Sequence, residues 1–179
     1  MSNREALREL QTRLAQRLHA SGADAHAATW LAFECMGQGV VVPLPAAGEI
    51  FPLCPLLPVP HTKSWFLGVA NLRGQLHGVV DLAAFLGLRS ALEPEQLREP
   101  QRSPARLLAF NASQGSHCAV LIDRLAGLRS ANQLHKAPTQ DAASPAFAPA
   151  QWQDTDGRSW QELDLGTLAR HEHYLAIAA

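Results

Sequence analysis

Apolar residues fall into short runs separated by polar turns or prolines, and a helical spacing is clear only at the start of the chain. Ser2-x-x-Glu5 matches a capping box, and Leu7, Leu10, Leu14 and Leu18 follow at spacings of three and four. This predicts an amphipathic helix over residues 1–22, with Arg4, Arg8, Arg13, Arg17, Glu5 and Glu9 on its polar face. Docking on its own domain is the favoured reading, and a partner-binding or dimerising helix is the other. Partly balanced charge and a stripe without aromatics disfavour adsorption to a membrane.

After residue 28 the period becomes that of strands. Trp30–Cys35 and Val40–Leu44, joined by Met36-Gly37-Gln38-Gly39, predict a first hairpin. Six prolines then crowd residues 43–60: Pro43, Pro45, Pro52, Pro55, Pro58 and Pro60. Proline lacks the ladder donor and fixes φ, so this stretch predicts a rigid extended connector with at most one short turn around Glu49-Ile50. Leu67–Leu72 and Leu76–Leu82 predict a second hairpin about Arg73-Gly74-Gln75, where glycine accepts a positive φ. Asp81 is placed to cap a short helix, Leu82–Leu86. A polar stretch, 90–105, reads as a hinge. Arg106–Asn111 with His117–Ile122 predicts a third hairpin, and Gln151–Leu165 a fourth that turns at Asp156-Gly157 before a last helical turn near Gly166.

The order conceals a weak repeat. Leu31-Ala32-Phe33 followed by Gln38-Gly39 recurs as Leu108-Ala109-Phe110 followed by Gln114-Gly115, and Val80-Asp81-Leu82 recurs as Leu163-Asp164-Leu165. Each half reads hairpin, connector, hairpin, Asp-Leu helix. Strand-dense units of this size suit small curled barrels, predicting a mainly β chain of two barrel-like subdomains with a groove between them. The expected boundaries are about 29–89 and 106–174.

Composition narrows the function. The chain has 179 residues, 47% of them hydrophobic, enough for a core without staples. Lys plus Arg number 15 against 16 for Asp plus Glu, so the basic excess of a nucleic-acid binder is missing. Cys35, Cys54 and Cys118 are odd in number and lie in apolar runs, which reads as free thiols in a reducing compartment. No run approaches the ~20 apolar residues of a membrane span, and the charged N-terminus is no signal peptide, so a cytoplasmic location is expected.

No catalytic or metal constellation stands out. His171-x-His173 lacks a Cys or Asp to complete a site. His117 and Cys118 are adjacent on a strand and so point to opposite faces. Gly37-Gln38-Gly39 lacks the lysine and helix of a phosphate loop. The expectation is no catalysis, no cofactor and no metal. Two rivals stay open: a small enzyme with a groove site around Arg73 and Asp81, and a small-molecule-binding barrel with a closed apolar cavity.

The segment Gly68-Val69-Ala70-Asn71-Leu72-Arg73-Gly74 followed by Val79-Val80-Asp81-Leu82 resembles the signature of the CheW family, adaptors that couple chemoreceptors to the chemotaxis histidine kinase. Leu121-Ile122-Asp123-Arg124 is similar to that family's Val-Asp-Arg segment, and the likeness runs over residues 29–174. It implies two intertwined five-stranded barrels and no active site. The N-terminal helix and the proline-rich connector resemble the PilI-type adaptors of type IV pilus (twitching) systems. Two departures stand out: His77-Gly78 replaces an apolar residue and proline, and Ala47-Gly48-Glu49-Ile50 replaces Val-x-Glu-Ile, where Gly48 is expected to loosen the turn. The implied partners are the regulatory domain of a CheA-type kinase and the cytoplasmic tip of a methyl-accepting chemoreceptor, with recruitment to membrane-associated receptor arrays. The implied contact residues are Glu49, Ile50, Asn71, Leu72, Arg73, Gly74, Val80 and Asp81. Of these, Arg73 offers its fork to a carboxylate with Glu49 orienting it. Asn71 and Gly74 serve the turn, and Asp81 reads first as a helix cap. Leu72 and Val80 are equally readable as core.

Overall fold

The computed structural model describes residues 29–90, 92, 105–137 and 144–179; the N-terminal helix expected over 1–22 and most of the hinge lie outside them. The described strands run β1 (Thr29–Cys35), β2 (Gln38–Pro43), β3 (Ala47–Pro52), β4 (Phe66–Leu72), β5 (Gln75–Asp81), β6 (Arg106–Phe110), β7 (Cys118–Ile122), β8 (Arg124–Ser130), β9 (Leu134–Lys136), β10 (Gln151–Asp154) and β11 (Ser159–Glu162). Short helices α1 (Leu82–Phe85), α2 (Leu165–Arg170) and α3 (Glu172–Leu175) complete the set.

Two sheets result, ordered β8-β1-β2-β11-β10-β9 and β3-β6-β7-β5-β4. The second is closed by a single bridge, and the edge strands of the first are chain neighbours. In the first, the opposite edges β8 and β9 are joined by the short turn 131–133. In the second, the chain leaving edge strand β3 comes back along edge strand β4, where Leu57 and Val69 exchange backbone hydrogen bonds of 2.8 and 2.9 Å.

Strand alternation then sorts the apolar residues into three layers. Trp30, Ala32, Val41, Leu134 and Trp160 fill the six-stranded barrel. Leu72, Val79, Leu107, Ala109 and Leu121 fill the five-stranded one. The intervening positions, among them Leu31, Phe33, Val40, Val42, Val80, Leu108, Phe110, Val120 and Ile122, form the layer between the barrels.

The predicted repeat is visible in the topology, but the predicted boundaries are not. Hairpin β1–β2 joins hairpin β10–β11 through the parallel pair β2–β11, and hairpin β6–β7 joins β4–β5 through the parallel pair β7–β5. Each half of the sequence thus gives its first hairpin to one barrel and its second to the other. Subdomains at 29–89 and 106–174 are corrected: each barrel draws on both halves. The Asp-Leu echo is equally physical, since Asp81 Oδ1 accepts from Ala84 N at 3.2 Å and Asp164 Oδ1 from Thr167 N at 2.9 Å.

Two further expectations change. Residues 47–52, read as a turn inside a proline-rich connector, are edge strand β3, a position where proline is tolerated because no partner needs its missing donor. One barrel has six strands, not five, because β9 flanks β10 while its counterpart beside β4 is only the single bridge at Leu57. Pro55 and Pro58 flank that bridge and cannot donate to a longer ladder.

Candidate protein-docking site

The turn between β4 and β5 is two residues long, with Leu72 paired to Gln75. Arg73 (φ +50°) and Gly74 (φ +85°) both occupy the left-handed region, the geometry of a two-residue hairpin turn that matches strand twist. An arginine there is unusual. Asn71 supports it, its Oδ1 accepting from Gly74 N at 2.7 Å. The turn therefore lifts a stiffly based guanidinium away from the barrel, 76% exposed.

Glu49 meets it from the opposite edge of the sheet, with Arg73 Nη2 2.7 Å from Oε1. Glu49 sits in a register shift of β3 between Ala47 and Ile50. Gly48 permits that shift: a Cβ there would lie 2.8 Å from the carbonyl oxygens of both Ala109 and Phe110. Gly48 thus allows close approach, where loosening of a turn was expected. With both partners substantially exposed, the pair is worth about 0.2–1 kcal/mol. Its consequence is orientation. Ile50 is half-buried against the inter-barrel layer.

Three of the eight expected contact residues are corrected by their burial. Leu72 is inside the five-stranded barrel, Val80 is in the inter-barrel layer, and Asp81 has no exposed surface. Asp81 also takes two bonds from Arg89, Nε to Oδ2 at 3.1 Å and Nη2 to Oδ1 at 2.9 Å. Arg89 Nη1 continues to Asp123 Oδ1 at 3.2 Å, and Asp123 Oδ2 accepts from Met36 N at 2.6 Å. The arginine thus ties the end of β5 to the β7–β8 crossover and to the β1–β2 turn. Arg73 and Asp81 stand at opposite ends of β5, about 20 Å apart. Each is paired elsewhere, so the converging pair required by the enzyme reading is not formed.

Sequence reasoning missed the exposed apolar residues. Leu76, 68% exposed, lies beside the turn within a run read only as a hairpin strand. Leu125 and Leu128, 41% and 55% exposed, lie on edge strand β8 opposite Phe33 and Leu31. Paired residues share a face, so these two leucines carry the inter-barrel layer out to the surface. The signal available was the Leu-x-x-Leu spacing after Asp123-Arg124.

Other candidate chemistry is absent from the described residues. No group of three His, Cys, Asp or Glu is placed to hold a metal, and no helix is long and apolar enough to cross a membrane. His171 and His173 pack on Phe147 and Phe85, with ring centroids 4.9 and 5.5 Å apart. The cysteines are free, and burial pushes the Cys35 thiol up to about 12.

Glu34 gives the fold a pH dependence. Arg124 grips both of its oxygens, at 2.7 and 3.0 Å, and Arg158 reaches Oε1 at 2.7 Å. The Arg124 hydrogen bonds hold its carboxyl below the usual 4.5, against the opposing effect of burial. A depressed folded-state pKa stabilises above the unfolded value and is lost as pH falls through the folded one. The urea midpoint should therefore decline below about pH 4.5, and Glu34→Gln should flatten that decline. Parallel acid profiles for the two proteins would refute this role.

Comparison with known proteins agrees with this geometry. The chain is 31% identical over 114 residues to the chemotaxis protein CheW of Rhizobium meliloti, covering 64% of this chain and 68% of that one. It is 26% identical over 172 residues to Protein PilI of Pseudomonas aeruginosa, covering 93% and 89% respectively. The scaffolding protein TtCheW of Thermoanaerobacter tengcongensis shares the fold, with a TM-score of 0.60 at 16% identity over 78% of this chain and 85% of that one. Residues 29–173 match the CheW-like domain. Exchanged hairpins, two barrel-like sheets and the Asn-Leu-Arg-Gly turn thus coincide with a domain match over most of the chain, which belongs to the CheW-like family.

Proposed function

We propose that this protein is a non-enzymatic adaptor joining a methyl-accepting chemoreceptor to a CheA-type histidine kinase, in a system that controls type IV pilus twitching. The observation that carries the reading is the arginine fork held on a two-residue turn and aimed by Glu49, a rigid charged feature with no catalytic partner beside it. Glu49, Ile50, Asn71, Arg73, Gly74 and Leu76 form the face for the kinase's regulatory domain. The apolar seam surfacing at Leu125 and Leu128 takes the receptor's helical tip, since an amphipathic helix is recognised by apolar anchors at helical spacing. The likeness to Protein PilI supports the pilus assignment.

Such an adaptor works by geometry. Holding both partners lets receptor state bias the kinase only to the extent that the complex binds the two kinase states differently. The adaptor would act in the cytoplasm, at receptor arrays, with no nucleic acid and no membrane insertion of its own. Pull-down of the full chain against a receptor tip and a CheA-type regulatory domain tests the assignment. Capture of both at micromolar concentration is expected, with Leu128→Asp losing the receptor and keeping the kinase. Capture of neither contradicts the proposal.

A further inference from the structure

After β3 the chain continues as Pro55-Leu56-Leu57-Pro58-Val59-Pro60, and five of these six apolar residues are exposed, Leu57 by 68% and Val59 by 38%. The segment belongs to neither docking surface described above. We propose that it is a preformed polyproline-type ligand for an aromatic-lined groove on a folded partner domain.

Its conformation follows from the sequence. Pro55, Pro58 and Pro60 have φ fixed at about −65°. Cys54, Leu57 and Val59 each precede a proline, which confines them to the extended and polyproline region. A polyproline helix has about three residues per turn, so residues three apart share a face. Burial follows that period. Leu53 and Leu56 pack on the core of the five-stranded barrel, whereas Pro52, Pro55 and Pro58 are exposed, as are Leu57 and Pro60. One face thus anchors the segment and leaves the others to solvent.

The segment is also held in place. Leu57 is tied through both its N–H and its carbonyl to Val69, and the Val59 carbonyl accepts from Thr62 Oγ1 at 2.9 Å. A partner therefore meets a ridge whose backbone is already ordered, which lowers the entropic cost of binding.

The chemistry of the ridge selects its partner. A strand added along it would need donors that Pro55, Pro58 and Pro60 lack, and the Leu57 donor is already given to Val69. No Asp, Glu, Lys or Arg lies between Glu49 and Lys63, so charge pairing is not the attraction. What remains is proline rings, apolar side chains and backbone carbonyls. An aromatic-lined groove matches all three, because rings pack on rings while Trp N–H and Tyr O–H donate to carbonyls. Pro55 and Pro58 stand on one edge at i and i+3, the spacing of Pro-x-x-Pro recognition.

A contact of this size is weak, so the test traps it covalently. The full chain is expressed in its own cells with the photo-crosslinker p-benzoylphenylalanine at position 57, or at the exposed control position 175. Cross-links from position 57 should map by mass spectrometry to a groove with two or more aromatic side chains on a partner domain, at a yield at least fivefold above the control. Pro55→Ala/Pro58→Ala should cut that yield at least fivefold with the thermal midpoint within a few degrees of wild type. Val59→Asp, which keeps every proline, should cut it as much and decides the matter if the double variant is unstable. Arg73→Ala should leave the yield within twofold, which separates this contact from the proposed kinase face; a matching loss would make the ridge part of that face and overturn the inference. A yield at the control level, or one that Val59→Asp leaves unchanged, overturns it as well. So do cross-links that map to a second copy of this chain or to a surface without aromatic side chains.

Discussion

Gly68→Ala should lower the thermal midpoint by roughly 10–15 °C, corresponding to about 3–5 kcal/mol for a chain of this size. Two costs combine. The φ of Gly68 is +125°, a conformation that L side chains rarely adopt. An added Cβ would also press into the Leu57 carbonyl, its carbon only 2.9 Å away, with Pro58 Cα at 3.1 Å. That backbone cannot yield freely, because Leu57 and Val69 exchange two hydrogen bonds there and so close the five-stranded barrel. Gly74 is the contrast. Its φ of +85° is also left-handed, but a Cβ would meet nothing within 4 Å. Gly74→Asn, a residue this turn accepts, should cost less than about 1 kcal/mol. The two glycines of the signature thus serve different needs, and scanning calorimetry of both variants separates them. Equal losses would contradict the account.

Arg89→Met should destabilise by about 3–5 kcal/mol, because it leaves the fully buried Asp81 carboxylate without its cation. Burial opposes the charge on Arg89, but the hydrogen bonds and charges of Asp81 and Asp123 outweigh it and hold the guanidinium protonated. The loss therefore arises mainly from the stranded acid. Asp81→Asn in the same background should recover much of it, since asparagine still caps α1 and carries no charge. Urea denaturation of the wild type, both single variants and the double variant gives the coupling directly. Additive losses would mean that the ion pair does not join the barrels as described.

How much of this was legible in the sequence follows from how local each feature is. The four hairpins and the two Asp-Leu caps were readable because alternation, glycine turns and capping act over a few neighbouring residues. The pairing of Arg73 with Glu49 was readable through the family resemblance. Strand β3 was hidden by its prolines, and β8 by the bulge at Ala126, which breaks the alternation. The exchange of hairpins between barrels has no local signal at all: β2 could pair with any strand presenting the right face, and its choice of β11 is tertiary. Arg89 was invisible for the same reason. Nothing near it in sequence distinguishes it from the solvated arginines, and Asp123 joins it from 34 residues away.

The burial of Leu72, Val80 and Asp81 shows where a motif misleads about its own surface. A signature gathers residues that build a turn together with residues that use it, and only exposure separates them. Here Leu72, Val80 and Asp81 lie inside or beneath the hairpin, and Arg73, Glu49 and Leu76 are what it leaves exposed.

The central claim is that Arg73 acts on a partner and not on the fold. Calorimetric titration of Arg73→Ala with a CheA-type regulatory domain, alongside its thermal midpoint, tests this most directly. The account predicts at least a tenfold loss of affinity with the midpoint within a few degrees of wild type. Unchanged affinity, or a collapse of stability, would contradict it.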